Sequence, residues 1–192
     1  MTNADQHLIE HLSSREELLT GNFLHVRRDT VRLPNQRSAT REYIQHSGAV
    51  MVIPLLDDGR VVLERQFRYP IGKVLIEFPA GKIDAGEDPL RCGQRELLEE
   101  TGYTAKEWAY AGELHPVVAY STEAIQVFFA RGLTLGQRKL DEGEFLDVFT
   151  ASQAELLEWC LSGKVTDSKT LAGMLWLQNY SLGARALQWQ PA

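Results

Sequence analysis

The sequence predicts an α+β fold, and three observations support that class. In the first half of the chain, apolar residues alternate with polar ones or form short runs bounded by turn residues, which is typical of strands. One capped helical segment interrupts the strands near the middle of the 192 residues. Further strands and two amphipathic helices follow, and strands with an inserted helix in this order indicate the α+β class.

The first part of the chain contains one predicted helix and extended segments. The polar stretch over residues 5–19 favours a short helix. Residues 23–33, FLHVRRDTVRL, alternate apolar and polar side chains and include β-branched residues, which predicts a strand with one exposed face. Residues 33–36 form a predicted turn, and residues 41–46 a further segment.

The hydrophobic middle of the chain predicts a hairpin. Residues 49–56 form an apolar run, the Asp-Asp-Gly turn at residues 57–59 follows, and residues 60–66 form the returning strand. Residues 74–78 form another strand. The later predicted elements are strands at residues 108–114, 124–130 and 144–149 and amphipathic helices at residues 152–161 and 168–180.

Charge and composition exclude several classes of partner. The formal net charge of -6 at pH 7 argues against nucleic acid, whose binding depends on neutralising phosphates with Lys and Arg. No apolar run approaches the roughly 20 residues of a membrane helix, so we expect no membrane partner. The acidic N-terminal stretch lacks a signal-peptide pattern and only Cys92 and Cys160 are present, so we expect a cytoplasmic protein.

Residues 81–103, GKIDAGEDPLRCGQRELLEETGY, concentrate acidic side chains around a helix signal. Asp88 is a suitable N-cap, Pro89 suits the first helical position and Gly102 supplies the end. These signals predict a helix over residues 89–101.

Three glutamates of this helix share one face. Glu96, Glu99 and Glu100 stand at positions i, i+3 and i+4, so their carboxylates project within a single turn. Adjacent carboxylates raise each other's pKa, but a hard divalent cation that prefers oxygen, Mg²⁺ above all, reverses that cost. Arg95 is placed to pair with Glu99 or Glu87. A solvated acidic surface is the alternative that this pattern leaves open.

The spacing of the segment resembles the signature of the Nudix hydrolases. The matching residues are Gly81, Glu87, Arg95, Glu96, Leu97, Glu99, Glu100, Gly102 and the apolar Tyr103. The resemblance implies an α/β/α sandwich with a mixed β-sheet. It also implies hydrolysis of a nucleoside diphosphate that is linked to another group.

The resemblance assigns roles to the signature residues. The metal ligands that it implies, for Mg²⁺ or in its place Mn²⁺, are Glu96, Glu99 and Glu100. Arg95 and Glu99 count among the implied catalytic residues. The residues that would shape the loop and its turns are Gly81, Glu87 and Gly102.

The residues before the signature resemble those of the ADP-ribose pyrophosphatases and related nucleoside diphosphate sugar hydrolases. The similar stretches are RQFR at residues 65–68 and EFPAG at residues 77–81. The carbonyl of Ala80 would complete the metal coordination. The implied substrate-binding residues are Arg65, Arg68 and Glu77. A surface charge is the alternative for Arg65, whereas a guanidinium at residue 68 suits bidentate phosphate binding.

Two later segments bear on the same subfamily. Residues 140–145 resemble its mobile acidic loop, in which Glu142 would be the general base and Glu144 a further metal ligand, although a solvated acidic turn is the alternative. Residues 115–123 lack the Pro-x-Pro-Gly pattern of the ADP-ribose pyrophosphatases, because Val118 and Ala119 replace its second proline and its glycine. Glu123, in the same segment, is a candidate contact to the ribose or to metal.

The sequence therefore predicts a Mg²⁺-dependent pyrophosphatase that cleaves ADP-ribose or a related nucleoside diphosphate sugar. The alternatives are a Nudix hydrolase of GDP-mannose, dinucleotides or modified nucleoside triphosphates, and a sensor that binds a nucleotide sugar without cleaving it. By the same resemblance, residues 1–47 form an N-terminal β arm that exchanges across a homodimer. Residues 48–192 form the hydrolase domain.

Overall fold

The computed structural model describes residues 3–140 and 142–192. The chain divides into two compact units. The first comprises the residues up to Ser47 together with Val117–Glu123, and the second comprises Gly48–Pro116 and Ala124–Ala192.

The first unit is built on a three-stranded antiparallel sheet in the order β1-β2-β3. Its elements are a short 3₁₀ helix (Asn3–Leu8), β1 (His11–Thr20), β2 (His25–Arg32) and β3 (Ser38–Gln45). The carboxylate of Asp29 on β2 links all three strands. It accepts two hydrogen bonds of 2.8 Å from Arg15 on β1 and one of 3.0 Å from the Tyr43 hydroxyl on β3. These bonds hold the pKa of Asp29 below its ordinary value.

The predicted helix over residues 5–19 is wrong. Only Asn3–Leu8 is helical, and His11–Thr20 is a strand that pairs with β2. The charged side chains of this stretch match the pattern of a solvated helix face, but they form ion pairs across the sheet instead, as Glu17 does with Arg27. Such cross-strand pairing is invisible in the local pattern.

The segment Val117–Glu123 joins the first unit through the end of β3. The backbone N–H of Ile44 donates to the carbonyl of Tyr120 at 2.8 Å, and the N–H of Thr122 donates back to Ile44 at 3.0 Å. The N–H of His46 donates to the Thr122 hydroxyl at 2.9 Å. The backbone of this segment is thus fixed by strand-like pairing.

The second unit contains two sheets. In chain order its strands are β4 (Ala49–Pro54), β5 (Val61–Arg68), β6 (Lys73–Glu77), β7 (Ala80–Lys82), β8 (Tyr103–Leu114), β9 (Ile125–Leu135), β10 (Leu146–Ala151) and β11 (Trp189–Pro191). Five of them form a mixed sheet in the order β11-β8-β9-β4-β7, in which β4 and β9 are parallel. The smaller sheet has the order β10-β5-β6 and is antiparallel.

Helices cover both faces of the five-stranded sheet. They are α1 (Pro89–Glu96), a π turn that continues it (Leu97–Thr101), α2 (Gln153–Leu161) and α3 (Ser168–Ser181). Side chains of β4 alternate between the faces, so Val50 packs with Cys92 and Leu97 whereas Met51 packs with Leu156 and Leu177. The predicted α+β class with a mixed sheet is confirmed. Within the described ranges, no helix is both long and apolar enough to span a membrane.

Candidate active site

The acidic helix begins and ends where the sequence predicts. The Asp88 side chain accepts hydrogen bonds from the N–H groups of Leu90 at 3.0 Å and Arg91 at 3.3 Å, which caps α1. At the other end, Gly102 has a φ of 78° and terminates the π turn in the left-handed region.

Arg95 holds three of the acidic side chains. It donates to both oxygens of Glu87 at 2.9 Å, to Glu96 at 2.8 Å and to Glu99 at 3.0 Å. The hydrogen bond from Arg95 lowers the pKa of Glu87 to about 2. A further bond of 3.2 Å to the carbonyl of Lys82 ties the helix to β7.

The Glu96 carboxylate lies directly against the backbone of Gly81. A Cβ atom at residue 81 would come within 1.9 Å of the carboxyl carbon of Glu96. Only glycine at residue 81 therefore leaves room for the Glu96 carboxylate in this position. Burial raises the pKa of Glu96 even though Arg95 is beside it.

Glu100 is the most deeply buried carboxylate of the turn, with 3% of its surface exposed. It accepts a hydrogen bond of 3.0 Å from the N–H of Ala80. Burial raises the pKa of Glu100 well above its ordinary value, and the charges of Glu64, Glu96 and Glu144 raise it further. The strands around the helix therefore bring several negative groups toward one place.

The donor set suits a hard divalent cation. Among the residues that the structure describes, no three His, Cys, Asp or Glu side chains stand ready as a metal cage. Arg95 explains this, because it engages Glu96 and Glu99 as a cation of the protein's own. Carboxylates that are buried together, as the raised pKa values of Glu96 and Glu100 indicate, gain most from a cation with oxygen preference.

Arg68 and Glu77 form a second charged group of this unit. Arg68 donates to both oxygens of Glu77 at 2.8 Å and 2.7 Å. Lys169, at the start of α3, donates to Glu77 as well and pairs with Asp167 at 3.1 Å. Burial opposes the charge of Glu77, but the bonds from Arg68 and the charge of Lys169 outweigh it, so the pKa of Glu77 is lowered.

The acidic loop before β10 contributes one glutamate that contacts the strands of the smaller sheet. Glu144 accepts a hydrogen bond of 3.2 Å from the amide of Gln66 on β5. Glu142 is exposed in a turn whose Gly143 has a φ of 86°. Asp141, part of the same predicted loop, lies outside the described residues.

The comparison with known families decides how these residues are to be understood. The profile of the NUDIX domain matches residues 45–169. This chain belongs to the Nudix family. The resemblance predicted from the signature is confirmed, and residues 10–44 match a second profile, the nucleoside diphosphate sugar hydrolase N-terminal domain. Nudix hydrolases generally need a divalent metal ion, so the expected class of cofactor holds.

Nudix relatives match this chain over most of their length. An ADP-ribose pyrophosphatase of Bacillus subtilis (strain 168) is 35% identical over 173 residues, which covers 89% of this chain and 94% of the relative. A methanol dehydrogenase activator of Bacillus methanolicus is 35% identical over 167 residues, which covers 85% of this chain and 89% of the relative.

A solved structure supports the Nudix fold directly. The crystal structure of an ADP compounds hydrolase superposes with a TM-score of 0.82 and covers 91% of this chain and 95% of its own. Its sequence is 19% identical, so this likeness concerns the fold alone. The predicted Nudix-type sandwich is confirmed.

Two further predicted site residues of this Nudix chain, Arg65 and Glu123, have other partners. Arg65 points to the opposite face of β5 from Arg68, since side chains alternate along a strand. It pairs there with Asp147 at 2.6 Å and lines a groove of about 920 Å³. Glu123 belongs to the first unit, where it lies 3.9 Å from the imidazole of His46.

Two residues of the Nudix domain were missed by the sequence analysis. Glu64 faces Glu77 across β5 and β6 and is fully buried. Burial and the charge of Glu77 raise the pKa of Glu64 to about 8. The second residue is Lys169. Both could have been found in the sequence, because Glu64 interrupts an apolar strand and Lys169 is a cation in the first turn of a helix, where the helix dipole disfavours it.

Proposed function

We propose that this chain is a Mg²⁺-dependent pyrophosphohydrolase that cleaves ADP-ribose, or a related nucleoside diphosphate sugar, to a nucleoside monophosphate and a sugar phosphate. The observation that carries the proposal is the group formed by Glu96, Glu99 and Glu100 in the last turns of the Nudix helix. Glu96 lies against Gly81, and Glu100 accepts a hydrogen bond from the N–H of Ala80. The relative from Bacillus subtilis named ADP-ribose pyrophosphatase supports the choice of substrate.

The residues proposed to hold Mg²⁺, which Mn²⁺ can replace, are Glu96, Glu99, Glu100, Glu144 and the carbonyl of Ala80. When bound, the metal supplies charge neutralisation at the diphosphate and a water of lowered pKa. Arg95 holds Glu87 through two hydrogen bonds and Glu96 and Glu99 through one each. It can therefore release the latter two to a cation and still keep the loop in place through Glu87.

Arg68 is the proposed phosphate-binding residue. Its guanidinium is fixed in orientation by two hydrogen bonds to Glu77, which is itself held by Lys169. With 39% of its side chain exposed, Arg68 keeps donors free for an anion. Arg65 stays a prediction from the resemblance, and its pair with Asp147 on the other face of β5 does not favour it.

Glu142 is the proposed general base. It is exposed and lies two residues before Glu144, so a change at Gly143 can bring its carboxylate toward the substrate. Glu123 stays a prediction for contact with the ribose or with metal.

A second candidate function is supported by one of the relatives. The protein from Bacillus methanolicus carries the name of a methanol dehydrogenase activator and is as similar to this chain as the pyrophosphatase is. The missing Pro-x-Pro-Gly pattern at residues 115–123 also leaves room for another nucleotide substrate. GDP-mannose, dinucleotides and modified nucleoside triphosphates are therefore included in the test.

The test is a turnover assay over a panel of these nucleotides with Mg²⁺, in which the released monophosphate is measured directly. We expect the highest kcat/KM on ADP-ribose, with AMP and ribose 5-phosphate as products. Activation of a methanol dehydrogenase without preference for ADP-ribose would favour the second candidate. Tight binding without turnover on every nucleotide would mean a sensor and contradict the proposal.

We further propose that residues 1–47 act as an arm that exchanges across a homodimer, with residues 48–192 as the hydrolase domain. All ten residues of β1 are exposed, including Leu12 and Leu19 at 54% and 50%. An uncovered edge strand of this length that exposes leucine side chains favours a protein partner. Analytical ultracentrifugation should give twice the chain mass of 21.7 kDa. A single-chain mass at micromolar concentration would contradict it.

The cytoplasmic location stays a prediction.

A further inference from the structure

The strands β5 and β6 bring two glutamates face to face inside the second unit. Glu64 and Glu77 are direct partners in the antiparallel register, and 0% and 1% of their surfaces are exposed. Burying two neighbouring carboxylates costs free energy unless hydrogen-bond donors or cations compensate their charges. The two side chains differ in how far this compensation is provided.

Glu77 uses the cations that lie nearby. Arg68 gives it two hydrogen bonds, and Lys169 is shared between Glu77 and Asp167. Neither carboxylate oxygen of Glu64 has a hydrogen-bond partner anywhere in the described part of the chain. The described residues therefore provide no hydrogen-bond donor for the buried carboxylate of Glu64.

Gln66 adds a third unpaired oxygen on the same face of β5. It lies two residues beyond Glu64, and alternate residues of a strand share a face. Its Nε2 donates to Glu144, which fixes the orientation of the amide, and its Oε1 has no donor among the described residues. Three buried acceptor oxygens without a donor therefore line this face.

This oxygen-lined face borders the acidic cluster. Gln66, two residues from Glu64 on this face, donates a hydrogen bond of 3.2 Å to Glu144, which is one of the proposed metal ligands. Glu100 belongs to the proposed metal site and is tied to β7 through Ala80. Oxygens that lack donors, surrounded by further carboxylates, are what a hard divalent cation requires.

We propose that Glu64 contributes a carboxylate oxygen, directly or through one ordered water, to the divalent-cation site of this chain. The inference rests on the proposed function, because it assumes that Glu96, Glu99 and Glu100 bind such a cation. It adds a ligand from β5, outside the Nudix signature, and gives the unpaired carboxylate of Glu64 its missing partner. Gln66 lines the same face as a neutral oxygen donor.

The test compares Mn²⁺ binding and metal-free stability in the full chain carrying Glu64→Gln. Free Mn²⁺ is measured by electron paramagnetic resonance, and unfolding is followed by circular dichroism after removal of metal. We expect Mn²⁺ binding to weaken about tenfold or more, as for other groups that support a metal site. The metal-free Tm should stay within about 2 °C of wild type or rise, because the substitution removes no existing hydrogen bond.

Two control variants sharpen the comparison. Glu107→Gln removes an exposed carboxylate that pairs with Arg131 on the adjacent strand, and its Mn²⁺ affinity should equal that of wild type. Glu77→Gln removes the paired partner of Glu64 and should lower the metal-free Tm. A lower metal-free Tm in Glu77→Gln, without such a loss in Glu64→Gln, would show that Glu77 is paired within the protein and Glu64 is not.

The outcomes separate this inference from the proposed function. If wild type fails to bind Mn²⁺, or Glu100→Gln binds it as well as wild type, the proposed metal site itself is wrong. If wild type binds Mn²⁺, Glu100→Gln does not, and Glu64→Gln binds with unchanged affinity, only the role of Glu64 is overturned. A marked loss of metal-free stability in Glu64→Gln would also overturn it, since Glu64 would then have a stabilising partner within the protein.

Discussion

The acidic residues of the signature are held in unequal surroundings, and this separates their roles. Glu87 accepts two hydrogen bonds from Arg95, and its pKa is lowered to about 2. Among the described residues, Glu100 has a single donor, the N–H of Ala80, and its pKa is raised by burial and by neighbouring carboxylates. A carboxylate that is already neutralised shapes the loop, whereas one that lacks a cation is suited to bind metal.

Replacing Glu100 tests this distinction. Glu100→Gln keeps the shape of the side chain and removes its charge, so we expect a loss of about 2 to 4 kcal/mol in transition-state stabilisation, measured from kcat/KM on ADP-ribose with Mg²⁺. Glu99→Gln should act in the same direction. The matched control is Glu107→Gln, at an exposed ion pair with Arg131. Unchanged turnover in both signature variants would count against the site.

Glu77 should give a pH-dependent contribution to stability. The groups that face it are Arg68 and Glu64 on β5 and Lys169 and Asp167 at the start of α3. Because its folded pKa is lowered from 4.5, Glu77 stabilises the fold fully above that pH and loses this contribution as the pH falls through its folded pKa.

The measurement is the difference in unfolding free energy between wild type and Glu77→Gln, taken from urea unfolding at several pH values. At pH 7 we expect a loss of about 3 kcal/mol, because the variant leaves Lys169 buried with fewer partners. The difference should shrink as the pH drops below about 4. A difference that stays constant from pH 7 to pH 3 would show that the charge of Glu77 is not what stabilises the fold.

At the scale of elements, the π turn decides which glutamates face inward. α1 ends at Glu96, and Leu97–Thr101 continues with i to i+5 hydrogen bonding. Each residue of a π turn is rotated less than in an α-helix, so the turn redirects Glu99 and Glu100 relative to regular i+3 and i+4 positions. Glu100 is buried against Ala80, and Glu99 keeps 32% of its side chain exposed beside Arg95.

The contact between this helix and β7 is tested by Gly81→Ala. The added Cβ would lie 1.9 Å from the carboxyl carbon of Glu96, so that side chain has to move. Since the displaced group is the end of a flexible side chain, we expect a stable fold with Mn²⁺ affinity and turnover reduced at least about tenfold. Gly136→Ala is the matched control, because its Cβ meets only a carbonyl oxygen at 3.4 Å. Equal loss in both variants would point to a general effect on folding.

At the scale of the whole molecule, the second unit, called the hydrolase unit from here on, places its acidic groups where its two sheets meet. The helix and β7 belong with the five-stranded sheet, whereas Glu64, Glu77 and Gln66 lie on the smaller sheet. Carboxylates from both therefore repel one another across the interior of one unit. A cation bound there links the two sheets and should stabilise the unit as a whole.

Removal of metal should accordingly lower the stability of the entire hydrolase unit. With free Mg²⁺ at about a hundred times its Kd, linkage gives about 2.7 kcal/mol, or about 5 to 10 °C in Tm for a chain of this size. Differential scanning calorimetry with and without EDTA measures this shift. Glu100→Gln should show little shift, and an equal shift in both proteins would mean that the metal acts elsewhere.

Features that depend on neighbours along the chain can be predicted from the amino-acid order alone. The cap at Asp88, the end at Gly102 and the spacing of the signature glutamates are all set within a few residues, because capping and helical periodicity act over one or two turns. The same local information gave the Nudix resemblance and the α+β class, both of which are confirmed.

Pairings between residues that are distant in the chain depend on the folded arrangement and could not be predicted. His11–Thr20, most of the stretch predicted as a helix, is a strand because β2 supplies its hydrogen bonds and opposite charges. Within the described part of the chain, Glu64 lacks a hydrogen-bond partner and Glu77 is paired, because strand register and α3 distribute two cations unequally between them. Burial and charge pairing depend on which segments meet in space, and local residue patterns carry no record of that.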